Sequence, residues 1–174
     1  MIQNQMLSPH FSLKEMTDSQ TAVKYGIANV PSEQEIENLR RLCQGALEPL
    51  REALQLPVVI TSGFRTKALN DKLAHSSERS QHMQGQAADF YVSSAGSIVQ
   101  GSKVQGRREL LIKAFREILT NPKIDYDQLI LYPNFIHVSY VSKEHNRHNI
   151  LKARSDGKLG YGKLSHTNAL LLNY

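Results

Sequence analysis

The residues best equipped for chemistry in this chain are two histidines and an aspartate. His82 sits in the polar run Ser80-Gln81-His82-Met83-Gln84-Gly85, Asp89 opens the apolar run Asp89-Phe90-Tyr91-Val92, and His137 lies in Phe135-Ile136-His137-Val138-Ser139-Tyr140. Imidazole and carboxylate are ligands for hard-to-borderline cations, and a catalytic zinc takes three such groups while leaving a fourth position open. If the last run is a strand, Phe135, His137 and Ser139 share one face and Ile136, Val138 and Tyr140 the other, so the imidazole need not enter the apolar layer. Taken singly, His82 reads as a loop histidine, Asp89 as a hydrogen-bonded or strand-capping aspartate, and His137 as a satisfied sheet histidine. Together their types and spacing favour ligation. Cys43 is the only cysteine, which excludes a disulfide framework within the chain and any zinc site built on three or four thiolates.

Elements of definite type must position these groups. Ser32-Glu33-Gln34-Glu35 has the form of a capping box, and Ile36, Leu39, Cys43, Leu47, Leu50 and Leu54 recur at helical spacing, predicting a long core-facing helix that Pro49 bends or interrupts in its last third. Cys43 falls on that apolar stripe and reads as an inert core thiol. Leu56-Pro57-Val58-Val59-Ile60-Thr61 predicts a buried strand before Ser62-Gly63, with a helix from about Thr66 to Leu73 after it. Ala87 to Val92 predicts a second strand, and Ser93 to Gly106 a mobile loop. Leu110, Leu111, Ala114, Phe115, Ile118 and Leu119 mark a helix ended by Asn121-Pro122. Asp127–Tyr132 and Phe135–Tyr140 flank the turn dipeptide Pro133-Asn134 and predict a hairpin. The fold class is α+β, a small antiparallel sheet with helices packed against it.

At 174 residues the chain fits one domain, a size that buries about 70% of its unfolded surface. Apolar residues are 40% and charged residues 21%, which excludes wholesale disorder, collagen-like repeats and a coiled-coil rod. Neither a signal peptide nor a membrane span is expected, so synthesis in the cytosol is the expectation. Lys plus Arg is 21 against 16 for Asp plus Glu, a formal charge of +5. Such an excess suits an anionic partner such as cell wall or nucleic acid, although the basic residues are mostly scattered. No aromatic stacking motif or helix-turn-helix arrangement supports nucleic acid, which is not expected as a partner.

Ser80-x-His82-x-x-Gly85-x-Ala87-x-Asp89, followed by the distant His137-Val138-Ser139, resembles the zinc D-alanyl-D-alanine carboxypeptidase family, whose metal fold is shared with hedgehog signalling domains. Pro9-His10-Phe11 with Glu15, Asn38-Leu39, Leu50-Arg51, Thr61-Ser62-Gly63-Phe64-Arg65 with Asn70, and Asp127-Gln128-Leu129-Ile130 are similar to its bacterial and phage branch. The resemblance spans about residues 8–148, leaving 149–174 as a C-terminal extension of one zinc peptidase-like domain over 1–174. It implies Zn2+ held by His82, Asp89 and His137, a catalytic Arg65 that holds a substrate carboxylate or carbonyl, and substrate-binding roles for Ser80 and Gln128. Many relatives carry Glu or Asp three residues before the last ligand as general base, where this chain has Asn134. Asparagine is no useful proton acceptor, so Asp127 becomes the nearest acidic candidate for a catalytic base.

The implied activity is a metallopeptidase acting on bacterial peptidoglycan peptides, either a D-Ala-D-Ala carboxypeptidase or an endolysin-like endopeptidase, encoded by a phage or prophage. Its rival is a zinc-containing cell-wall-binding module that has lost its base, which Asn134 makes credible. The remaining histidines, His10, His75, His145, His148 and His166, have no partner at useful spacing and read as surface or packing residues. Leu170, Leu171 and Leu172 are expected to pack the C-terminus.

Overall fold

In the computed structural model, which describes residues 5–74, 76–94, 103–153 and 161–172, the chain opens with a hairpin of β1 (Met6–Ser8) and β2 (Phe11–Ser12). Two short helices follow, α1 (Leu13–Thr17) and α2 (Gln20–Tyr25), then α3 (Glu33–Leu42), a π-helical turn over Cys43–Leu47, and α4 (Glu48–Leu54). After β3 (Val58–Ser62) come the single turn α5 (Lys67–Asn70), a 3-10 turn over Gln81–Gln84 and β4 (Ala87–Val92). The long α6 (Lys103–Thr120) precedes β5 (Gln128–Leu131), β6 (Ile136–Ser139), β7 (Asn149–Ala153), β8 (Tyr161–Lys163) and α7 (His166–Leu170).

The capping box forms as its sequence predicts. Ser32 Oγ accepts from the Glu35 N–H, and Glu35 Oε2 accepts from the Ser32 N–H at 2.6 Å. The interruption of this helix takes a specific form at Pro49, which cannot donate to the carbonyl four residues back, that of Gly45. The helix widens just before it, the Glu48 N–H reaching back to the Cys43 carbonyl, and the released Gly45 carbonyl accepts from the Asp125 N–H at 3.0 Å. Gly45 has a second constraint, since a Cβ there would lie 2.7 Å from the Tyr140 ring. Leu39, Cys43, Leu47 and Leu50 are fully buried along the predicted stripe. Burial also pushes the Cys43 thiol pKa far up, which suits the inert role.

The strands of the described residues make two sheets. One is the β1–β2 hairpin and the other is six-stranded, in the order β3-β4-β6-β5-β7-β8. The α+β class holds, but the main sheet is larger than expected and mixed, because β7 runs parallel to β5. The 149–174 segment supplies β7, β8 and α7, so two of its strands extend the sheet that carries the site. Alternation gives the sheet two unlike faces. Ala88, Phe90 and Val92 of β4, Leu129 and Leu131 of β5, and Ile136 and Val138 of β6 enter one core with α3, α4 and α6. Full burial of each large apolar side chain contributes about 1.5–3 kcal/mol to holding that face covered. The opposite face carries Asp89, His137, Gln128 and Ile130 and is left as the floor of a cleft.

Three further expectations change. The helix after Arg65 is a single turn, because the chain turns at Asp71 and the Asn70 side-chain amide donates to the Ser77 carbonyl. Helix α6 already begins at Lys103, inside the stretch read as a loop; positions 95–102 of that stretch lie outside the described residues. Of the C-terminal leucines, Leu170 and Leu172 pack against the core while Leu171 is exposed.

Candidate metal centre

His82 occupies the 3-10 turn that runs into β4. Two glycines allow that turn to sit where it does. Gly85 closes it with φ +66°, and a Cβ on Gly85 would lie 2.4 Å from the Glu35 carbonyl oxygen. A Cβ on Gly63 would lie 2.3 Å from the Met16 carbonyl oxygen. Gly63 brings its own carbonyl within 2.7 Å of His82 Nδ1. The Arg65 N–H donates to the His82 carbonyl, and Asn29 pins the same loop, its side-chain amide donating to the Thr17 and Phe64 carbonyls while its oxygen accepts from the Thr66 N–H. Gly85→Ala combines a left-handed backbone with a backbone collision, so we expect a loss of about 2–4 kcal/mol in stability. Urea denaturation measures it, and a change under about 0.5 kcal/mol would show that the turn tolerates a side chain there.

Asp89 and His137 are brought together by strand pairing. They are direct partners in the β4–β6 register, so their side chains stand side by side on the cleft face. The three groups converge, with His137 Nδ1 2.8 Å from Asp89 Oδ1, and His82 Nε2 3.3 Å from both Asp89 Oδ1 and His137 Nδ1. Around a tetrahedral ion with ligand bonds of 2.0–2.1 Å, ligand atoms stand about 3.3 Å apart. Two of the three separations match, and the third is shorter by about half an ångström, the length of a hydrogen bond. The chemistry of the donor set fits as well. With Nδ1 donating to the Gly63 carbonyl, His82 turns an Nε2 lone pair toward Asp89 Oδ1 at 3.3 Å, two acceptors face to face, an arrangement that a cation relieves.

Electrostatics favour the ligating forms. Burial pushes the His82 pKa down, toward the neutral imidazole. Burial alone would raise that of Asp89, but His82 and His137 more than offset it and hold the carboxyl well below the usual carboxylate range. Arg65 completes the shell, donating through Nη2 to Asp89 Oδ2 at 2.8 Å and through Nε to Ser62 Oγ at 2.9 Å. The guanidinium thus takes one carboxylate oxygen and leaves the other at the centre of the triad.

The cleft over this centre has a volume of about 1070 Å3, and Arg65, Ser80, Gln128 and Asp127 all line it. Asp127, however, makes no hydrogen bond to His82, Asp89 or His137. Its carboxylate accepts from Arg147 through Nε at 2.8 Å, through Nη2 and through the backbone N–H at 2.9 Å, and from Gln81 Nε2 at 2.9 Å. Desolvation works against this carboxylate, yet the Arg147 and Gln81 bonds hold its pKa below the usual value. Asn134 is exposed in the hairpin turn. Among the described residues, Asp89 and Asp127 are the only carboxylates lining the cleft.

Sequence reasoning missed Gln81 and Arg147. Gln81 adjoins His82 and could have been suspected, whereas nothing in the spacing of Arg147 connects it to Asp127. It also missed the stacked Tyr132 and Phe135 rings at the cleft, 4.2 Å between centroids. Histidines read as unpartnered prove otherwise. His10 Nδ1 lies 2.5 Å from Glu48, which also accepts from Ser8 Oγ and ties the β1–β2 hairpin to α4. His145 bonds Ser142 and His148 bonds Asp125, while His75 lies outside the described residues.

No curated protein matches the chain. A family model described as Peptidase M15 matches residues 9–120, well over half of the sequence. The matched stretch contains Arg65, Ser80, His82 and Asp89 and stops short of Asp127 and of His137, which the β4–β6 pairing sets beside Asp89. The chain belongs to the peptidase M15 family of zinc D-Ala-D-Ala carboxypeptidases.

Proposed function

We propose that this protein is a zinc-dependent metallopeptidase that hydrolyses peptide bonds in bacterial peptidoglycan stem peptides, as a D-Ala-D-Ala carboxypeptidase or an endolysin-like endopeptidase, on a single hedgehog/DD-peptidase-like domain. The observation that carries the reading is the convergence of His82 Nε2, Asp89 Oδ1 and His137 Nδ1 within 3.3 Å of one another under a wide cleft. Zinc, when bound by these three, supplies Lewis acidity toward a peptide carbonyl and lowers the pKa of water toward neutrality. Arg65 fixes Asp89 and offers its remaining N–H groups to a substrate carbonyl or carboxylate. Ser80 and Gln128, which both line the cleft, bind the substrate. Asp127 is the proton acceptor in this reading, acting through an intervening water, as the remaining carboxylate of the cleft.

The donors around Asp127 favour a second reading, a zinc-containing wall-binding module of weak or absent activity. A carboxylate held below its usual pKa by several hydrogen bonds is a poor base at neutral pH. Mass spectrometry of purified peptidoglycan incubated with zinc-loaded protein separates the two. New peptide fragments released by the wild type and absent with His82→Ala support the peptidase and identify the bond. Intact stems in a sample that holds zinc and sediments with the wall support the module.

A further inference from the structure

The cleft continues past the metal centre into a region built by the C-terminal part of the chain. Ile130 of β5 and Leu151 of β7 are register partners and both line the cleft, with Ala153 next on the same face of β7. Arg147, in the segment leading into β7, lines it as well. Its guanidinium is fixed by Asp127 through Nε and Nη2, with Nη2 also 3.4 Å from Gln81 Oε1. The guanidinium has five N–H donors, and among the described residues Nη1 makes no hydrogen bond, while the side chain is 55% exposed. The charge balance points the same way. Three arginines, Arg65, Arg79 and Arg147, line the cleft against two carboxylates, each already paired with an arginine.

We infer that Arg147, with the apolar wall of Ile130, Leu151 and Ala153, forms a subsite for a carboxylate-bearing residue of the peptide substrate, at a distance from the bond that is cleaved. The Asp127 pairing pre-orients the guanidinium, so little side-chain entropy is lost when a second carboxylate docks on Nη1. The distance follows from the sheet. Ser139 Oγ lies 3.4 Å from Asp127 Oδ2, and Ser139 is two residues along β6 from the ligand His137, roughly 6.6 Å. An extended peptide advances about 3.3–3.6 Å per residue, so the anchored carboxylate belongs to a residue two or three positions from the metal centre. The terminal carboxylate that a carboxypeptidase releases lies closer, within about one residue. This subsite rests on the peptidase reading for its substrate, but its recognition is separable from catalysis.

Calorimetric binding to a synthetic stem peptide tests it, comparing the peptide with a free side-chain carboxylate, the peptide with that group as carboxamide, and the peptide with only its C-terminal carboxylate amidated. The free side-chain carboxylate is expected to bind at least about tenfold tighter than its carboxamide, and any effect of terminal amidation, read at Arg65, to be the same in wild type and Arg147→Gln. In Arg147→Gln the tenfold ratio should fall to about two, and Arg147→Lys should restore part of it. A role for Arg147 confined to supporting Asp127 would lower the melting temperature and weaken all three peptides alike, leaving the ratio intact and overturning the subsite. A sensitivity to terminal amidation that disappears in Arg147→Gln, in place of the side-chain preference, also overturns it. Hydrolysis followed in parallel keeps the two readings distinct, because cleavage without the preference removes the subsite alone, and the preference without cleavage removes the peptidase alone.

Discussion

Replacing His82 with alanine is expected to take the protein from about one bound zinc per chain to almost none, and to abolish turnover. Three ligands hold an open catalytic site, and the loss of one leaves two protein groups where coordination needs three. Disturbing only an outer partner of a ligand costs about 10–100-fold in metal affinity, so deleting the ligand itself should cost more than that. Elemental analysis of protein purified without chelator checks it, and equal zinc in wild type and His82→Ala would end the assignment. The substitution also leaves the Gly63 carbonyl without the imidazole it faces at 2.7 Å, a penalty of about 1–3 kcal/mol. A folding control is therefore needed, and His137→Ala supplies it. That ring faces the cleft, 12% exposed against 3% for His82. Both variants should lose zinc, with His82→Ala losing more stability in urea.

The convergence of His82, Asp89 and His137 was legible because two of them lie in one local motif and the third follows strand parity. Phe135, His137 and Ser139 were read as one face of a strand, and the structure puts His137 and Phe135 in the cleft with Ile136 and Val138 in the core. What parity could not say is that β4 pairs with β6, which sets Asp89 against His137 across a gap of 48 residues. The helix signals at Ser32 and Pro49 were equally local, and each produced the hydrogen-bonding consequence its chemistry requires. The π-helical turn was not legible, because its stability depends on the Asp125 N–H taking up the Gly45 carbonyl, an acceptor–donor pair 80 residues apart. The parallel strand β7 escaped notice for a similar reason. Asn149-Ile150-Leu151-Lys152-Ala153 is short and half polar, and only the edge offered by β5 makes it a strand. Arg147 was invisible as a cleft residue because its role depends on that same pairing, where the Asn149 N–H donates to the Asp127 carbonyl and draws the segment across the cleft.

Asp127→Asn is expected to be among the most destabilising conservative changes in the protein. The carboxylate side chain is 1% exposed and takes two hydrogen bonds from the Arg147 side chain, one from its backbone and one from Gln81. An asparagine of nearly the same shape can accept only at one oxygen and turns an NH2 toward donors. Breaking a buried pair of this kind costs about 3–5 kcal/mol, and the 55% exposure of Arg147 places the expected loss at the lower end, about 3 kcal/mol. For a chain of this length that is a fall of roughly 6–12 °C in Tm. The pH dependence carries a definite sign. The folded-state pKa of Asp127 lies below its unfolded value, so its contribution is complete above about pH 4–5 and is lost as the pH falls through the folded value. The Tm difference between wild type and Asp127→Asn should therefore be full at neutral pH and shrink under acid. An unchanged Tm would mean that the donors around Asp127 hold nothing in place. Turnover normalised to folded, zinc-loaded protein then decides what else the residue does. A loss of at least about hundredfold in kcat makes Asp127 the proton acceptor, the scale expected for general base catalysis. Retained kcat confines it to holding Gln81 and Arg147 over the cleft. In that case Asn134→Glu, which restores a carboxylate three residues before His137, should raise activity only where a base is missing.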